Sequence, residues 1–293
     1  MKKHWHFIFI FICLVCAIFV SAYQYQKAAV SNHIQREISK GHLDKSSLHH
    51  NGILILCYHR VLRNDNFDQL AEDVSNNAQL HEYQISTKTL LYEINYLQKH
   101  HVKIISLPEA INLVTTKSTL HHQYAVLTFD DFDNTVAENV NPLLSKRHIP
   151  YTVFVITGTT GRYDGGTALT TWSQIKTMSH NPDVTFGLHT NNMHYLVNNK
   201  GVLTLSANYH TFQKDYHTSQ KVLYAHLHRY GHFFAYPYGE YNDKVQSFLV
   251  HEGIITFSLV NSILTPDTDL TQPVGRTMIS NNTWHEVVQK WVR

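Results

Sequence analysis

Cysteine is scarce in this 293-residue chain: only Cys13, Cys16 and Cys57 are present. The first two lie inside the apolar run at residues 7–20. Removal of that segment would leave Cys57 as the sole thiol and exclude an internal disulfide, so the size of the core must hold the fold. A long hydrophobic run is also missing. Phe7–Val20 falls short of the roughly 20 residues that span a bilayer. Two lysines precede it, and Val20-Ser21-Ala22 offers small or medium residues, which is the layout of a secretory leader. We expect export with cleavage after Ala22 in preference to a retained anchor. Residues 1–22 then read as signal peptide or membrane anchor, 23–50 as a polar linker or stalk, and 51–293 as one folded domain.

Charge is sparse too. Asp, Glu, Lys and Arg make up 16% of the chain and the net charge is +2 with histidine neutral. No basic stripe with interleaved aromatics is present, which argues against a nucleic-acid partner. There is no internal repeat and no low-complexity tract. Histidine, by contrast, is abundant, with 23 copies. No single site uses so many, so most must lie on the surface, and the net charge should climb in mildly acidic surroundings.

From residue 52 the pattern alternates strand and helix. "ILILC" reads as a buried strand, and residues 62–84 as a long polar loop. "STKTLLYEINYLQKHH" places Leu90, Ile94 and Leu97 at helical spacing after a Ser/Thr start. "VKIIS" is a strand and "LPEAINLVTT" a helix with Pro108 near its start. The rhythm continues through "AVLTF", a helical run interrupted at Pro142, "YTVFVIT", a Gly-rich loop, "TWSQIKTMS" capped by Thr, and "VTFGL". A long helix then closes at Gly231, followed by strands "HFFAYP" and "GIITFSL". About seven such units imply an α/β fold with parallel strands, right-handed crossovers and a closed or nearly closed barrel. In such barrels, functional side chains stand at the carboxyl ends of strands.

Asp130 and Asp131 occupy such an end, directly after "AVLTF". His189 ends the strand "VTFGL", with His194 five residues on. An offset of five separates two side chains on a helix and puts them on opposite faces of a strand. The two rings can share an ion only if the backbone changes type between them. We expect Asn191 or Asn192 to cap a helix with His194 in its first turn. A carboxylate with two imidazoles and an open position is a usual ligand set for Zn²⁺ or a similar metal. One aspartate can then ligate the cation while the other accepts a proton from a bound water. Alone, an Asp pair after a strand is most often a solvated turn. A His pair in so histidine-rich a chain is mostly coincidence. Both at strand ends of one barrel weigh about evenly for and against a functional site. "GTTGRYDGG" lacks the Lys and Ser/Thr ending of a phosphate loop and reads as a surface loop.

"LTFDD", "HTNNMH" and "FAYPYGEYN", in that order, resemble the polysaccharide deacetylases of carbohydrate esterase family 4, the NodB-homology group. Within it, "CYHRV" and "IPYTVFVITG" are similar to poly-β-1,6-N-acetylglucosamine N-deacetylases of the intercellular-adhesin type. The likeness covers roughly residues 51–282, with the NodB-homology core at about 122–293. It implies a distorted (β/α)7-type barrel and a divalent metal, most readily Zn²⁺, with Co²⁺, Ni²⁺ or Fe²⁺ as alternatives. Carried over by motif, Asp130 would be the general base, and Asp131, His189 and His194 the metal ligands. The backbone N–H of Tyr238 would face the developing oxyanion. Tyr58, His59, Pro237, Glu240, Asn242, Asp269 and Arg276 are weaker candidates for substrate contact. Tyr58 and His59 read almost equally well as a packed core pair.

The chain also departs from the family. Phe132 stands where many members have Gly and would narrow the pocket floor. His232 and Phe233 replace a frequent Arg. The late Leu-x-His that often supplies the acid is absent, which leaves the proton donor unassigned. The implied reaction is N-deacetylation of N-acetylglucosamine units in an extracellular polymer, releasing acetate. Peptidoglycan or chitooligosaccharide as substrate, or a catalytically silent carbohydrate-binding barrel, are the alternatives. The implied setting is an exported, monomeric protein at the cell surface or membrane, with the polymer and the cell envelope as partners.

Overall fold

The structure is a computed structural model that describes residues 43, 48–63, 84–164 and 167–293. The leader, most of the stalk, most of the 62–84 loop and the centre of the Gly-rich loop lie outside the described residues. Six parallel strands come first: β1 (Gly52–Tyr58), β2 (Gln123–Phe129), β3 (Tyr151–Val155), β4 (Val184–Leu188), β5 (Phe233–Ala235) and β6 (Ile255–Ser258). A last extended segment pairs β6 through Val274–Gly275 and β1 through Thr277–Met278. The order thus returns to its start, giving a nearly closed barrel with Arg276 at the junction.

Alternation along the strands sorts the core into layers. Leu54, Leu56 and Tyr58 of β1 join Leu127, Phe129, Val153 and Leu188 in the outer layer beneath the helices. Ile53, Ile55, Val126, Phe154 and Phe257 form the inner layer. The barrel is distorted at its lower end. There β2 pairs with the short strand Lys103–Ile104, and β3 joins β2 only at Thr128 and Phe129. Leu107, Ala110, Ile111 and Val114 pack into this inner cluster, which closes the base with a helix.

The helices start where local chemistry satisfies their first N–H groups. Helix α1 (Thr87–Lys99) is capped by Ser86 and buries Leu90, Ile94 and Leu97. Helix α2 (Leu107–Thr115) is capped by Ser106, with Pro108 in its first turn. A π-helical stretch, Val136–Val140, runs into α3 (Asn141–Lys146), so Pro142 opens a new helix beyond an irregular turn. Helix α4 (Trp172–Met178) carries a capping box of Thr171 and Gln174.

Helix α5 (Tyr209–Leu227) does not end at Gly231 as expected. His228 takes the left-handed cap at φ 52°. Gly231 serves close packing instead, since a Cβ there would meet Leu188 Cγ at 2.9 Å. Helix α6 (Asp243–His251) begins at Asn242, whose side chain accepts from the N–H groups of Lys244 and Val245. This corrects the reading of Asn242 as a substrate contact: its Oδ1 caps a helix and its Nδ2 donates to Leu203 O at 2.7 Å.

Candidate active site

The carboxyl ends of β1, β2, β4 and β5 bring the candidate residues to one rim. After β2 the chain turns sharply, with Asp131 at φ 64° and Phe132 at φ 59°. Two consecutive non-glycine residues in the left-handed region cost about 1–3 kcal/mol each, so surrounding bonds must hold them. Phe132 N donates to Asp130 O at 2.7 Å, and Thr170 N donates to Phe132 O at 3.0 Å. Asp133, nearly fully buried, accepts from Arg60 Nε at 3.2 Å and from the Thr167 hydroxyl. The Phe132 ring lies in the outer core at 6.2 Å from Phe186. That corrects the expectation that it narrows the pocket floor.

The turn separates the two aspartates. Asp130 points inward, 1% exposed. Arg276 grips it with a two-pronged pair, Nη1 to Oδ1 at 2.6 Å and Nη2 to Oδ2 at 2.7 Å. The Cys57 thiol, free and buried, donates to Oδ2 at 3.4 Å. Burial works to raise the Asp130 pKa, but Arg276, together with His189 and His59, outweighs it and the value is lowered to about 2. Arg276 is itself fully buried. The sequence reading of Arg276 as a substrate contact is therefore corrected to a residue that holds Asp130 ionised.

Asp131 faces the other way. Its Oδ1 lies 3.4 Å from His189 Nε2 and 3.1 Å from His194 Nε2. That oxygen is shut off from solvent, yet no aligned hydrogen bond reaches it. His189 Nδ1 lies 2.8 Å from the carbonyl oxygen of Ala235. A carbonyl can only accept, so Nδ1 donates here, which fixes the ring and turns Nε2 toward the carboxylate. This donor set of one carboxylate oxygen and two imidazole nitrogens fits a divalent first-row metal. Without an ion, burial works against charge on both partners. Their mutual attraction prevails, holding Asp131 well below the usual carboxylate range and raising His194.

The expected helix at His194 does not form. Thr190 instead adopts φ 72° and reverses the chain directly after His189. Asp215 on α5 then accepts from Asn191 N and Asn192 N at 2.7 Å each. The two asparagines therefore cap nothing; their backbone is capped by Asp215. Gly158 lets this loop pass close, because a Cβ there would meet Asn191 O at 2.5 Å. The result is a His189–His194 ring separation of 4.9 Å.

The turn after β5 completes the rim. Pro237 is buried, and Tyr238 sits at φ 58° with its ring 4.8 Å from that of His194. Glu240 accepts from Gly201 N at 2.6 Å, tying the hairpin after His194 to this turn. His59 lies in the electrostatic field of Asp131, Asp130 and His189, and burial lowers its pKa. Two weaker candidates fall away. Tyr58 is 2% exposed, stacks on Phe129 and donates to Glu93 at 2.9 Å, facing the helix layer. Asp269 closes an exposed local turn with Thr271.

A family model described as polysaccharide deacetylase matches residues 117–254. That stretch is a polysaccharide deacetylase domain. The chain is 28% identical to the poly-β-1,6-N-acetyl-D-glucosamine N-deacetylase of Staphylococcus aureus, over 82% of this chain and 83% of that protein. The protein of the same name from Staphylococcus epidermidis is 27% identical, with the same coverage. Among solved structures, IcaB from Ammonifex degensii superposes with a TM-score of 0.74 at 28% identity, over 86% of this chain and 100% of that one. A de-N-acetylase from Aggregatibacter actinomycetemcomitans, 20% identical with a TM-score of 0.65, shares the fold.

Reading the sequence for this family's motifs did not find Asp133 or Asp215 as supports. An Asp three residues after Asp130, beside Thr135 whose N–H it caps at 2.8 Å, was the one local signal for the first. Asp215 is buried in mid-helix and had no such signal.

Proposed function

We propose that this protein is a metal-dependent N-deacetylase of poly-β-1,6-N-acetylglucosamine, exported and acting at the cell surface. The observation that carries the reading is the convergence of His189 Nε2 and His194 Nε2 on Asp131 Oδ1, one residue from a carboxylate kept ionised by Arg276. The likeness to named poly-β-1,6-N-acetylglucosamine deacetylases supports the substrate.

Asp131, His189 and His194 would hold the ion, Zn²⁺ or a neighbour such as Co²⁺, Ni²⁺ or Fe²⁺. When bound, it supplies Lewis acidity toward the acetamide oxygen and acidifies water. Asp130 takes the proton of the attacking water. Its low pKa keeps it in the acceptor form at any working pH, at a cost in basicity. The Tyr238 backbone N–H, in the turn against His194, faces the developing oxyanion. With the late Leu-x-His absent, the proton that Asp130 takes from the water is passed on to the departing amine. Acetate leaves and a glucosamine remains. Each turnover adds a cationic site that binds anionic surfaces.

The test is acetate release from poly-β-1,6-N-acetylglucosamine oligomers by metal-loaded protein, beside peptidoglycan and chitooligosaccharides. Release from peptidoglycan alone would reassign the substrate. Binding without release under every metal would leave a carbohydrate-binding barrel.

A further inference from the structure

A second set of metal-binding donors adjoins the first and differs from it in kind. Cys57 Sγ, a ring nitrogen of His59 and a carboxylate oxygen of Asp130 all lie within 4.8 Å of one another. Cys57 is shut off from solvent and His59 is half-buried, so the set meets solvent on the His59 side. The thiol donates to Asp130 Oδ2 at 3.4 Å. The closing segment adds another sulfur. Met278 is the register partner of Cys57 and packs with it and Leu259 in a small apolar cluster.

Donor softness separates the two sets. Asp131, His189 and His194 offer one oxygen and two nitrogens, which suit a borderline divalent ion. A thiolate with an imidazole, lined by a thioether, selects Cu⁺. Charge favours the same ion. Arg276 Nη2 sits 2.7 Å from the carboxylate oxygen that the thiol touches. A divalent ion in place of the thiol proton would add positive charge beside the guanidinium, whereas a monovalent one leaves the local charge as it was. Burial pushes the Cys57 thiol up, so its proton yields only to a strongly thiophilic cation. Burial also favours the neutral His59 ring, in which one nitrogen carries a lone pair.

We propose that Cys57 and His59 form a Cu⁺ site, with Asp130 Oδ2 as a third donor at its edge, and that copper there silences the enzyme. On binding, the S–H bond breaks, an S–Cu bond forms and the proton passes to solvent. Copper stays Cu⁺ throughout. The cation then competes with the proton of the attacking water for the Asp130 carboxylate. The silencing rests on the proposed role of Asp130 in deacetylation; the binding does not.

The test uses the Zn²⁺-loaded full chain carrying Cys13→Ser and Cys16→Ser, so that Cys57 is its one thiol. Cu⁺ is supplied anaerobically as its acetonitrile complex, and loosely held metal is removed with bicinchoninate. Elemental analysis should find about one copper per chain with Zn²⁺ undiminished. X-ray absorption at the copper edge should show sulfur and nitrogen neighbours, and acetate release should be lost in step with copper loading. Cys57→Ser should retain no copper, and its acetate release should be the same with and without Cu⁺. His59→Gln should keep the sulfur neighbour, lose the nitrogen one and give up copper at a lower bicinchoninate concentration, which keeps the test open if the serine variant folds poorly. Copper that displaces Zn²⁺ one for one, or that stays on Cys57→Ser, would overturn the site. Full copper loading with undiminished acetate release would overturn the silencing. A copper-free chain that releases no acetate would count against the deacetylase reading alone, since metal content and the absorption edge are read without substrate.

Discussion

Asp130 and Asp131 adjoin in sequence and differ in everything that surrounds them. One meets a guanidinium in a closed interior, the other a pair of imidazoles at the rim. Asp130→Asn keeps the shape and leaves Asp131, His189 and His194 in place, but on the proposed mechanism it would not take up the water proton. Acetate release should drop by about 10²–10⁴, with metal content by elemental analysis unchanged. A variant that kept wild-type turnover would remove Asp130 from the mechanism. Arg276→Met leaves a carboxylate buried without its counter-charge. Stability measured by urea unfolding should fall by about 3–5 kcal/mol, and activity should fall with it.

At the scale of elements, two contacts hold the strand ends in place. Asp215 of α5 fixes the loop between His189 and His194 by accepting from two backbone N–H groups. Asp215→Ala should weaken Zn²⁺ binding by about 10–100-fold, read by competition with a chromogenic chelator, although Asp215 touches neither imidazole.

Glu93 of α1 joins the back of β1 through the Tyr58 hydroxyl. Burial raises its pKa to about 7, and the Tyr58 hydrogen bond offsets only part of that. With the folded pKa above the unfolded value, the stability Glu93 contributes is fully present below about pH 4.5 and is lost as pH rises through about 7. The loss is on the order of 3 kcal/mol, the ceiling for so buried a group. Glu93→Gln keeps an acceptor for Tyr58 and removes the ionisation. Its unfolding free energy should therefore vary less between pH 5 and 8 than that of the wild type. Equal slopes would mean Glu93 is ionised throughout.

For the whole molecule, the barrel gathers side chains from distant parts of the chain, and an ion at the rim would tie β2 to the loop after β4. A ligand that binds only the folded state stabilises it by about 2.7 kcal/mol at a hundred times its Kd. Added Zn²⁺ should raise the melting temperature and a chelator should reverse it. His189→Ala should abolish the shift.

The alternation of buried strands and capped helices was legible in the sequence, because strand period, Ser and Thr caps and helical spacing act over a few residues. So was the family, carried by motifs that each span only a few positions at strand ends. What escaped the sequence acts across the chain. Arg276 meets Asp130 over 146 positions, only because the last segment closes the barrel. The left-handed Thr190 replaces the helix that Asn191 and Asn192 suggested, because a carboxylate 24 positions away claims their N–H groups. Gly231 follows the same logic, set by Leu188 across the packing rather than by the helix before it. Short-range hydrogen bonding and periodicity decide which elements form. Ring closure of the sheet decides which of their side chains meet.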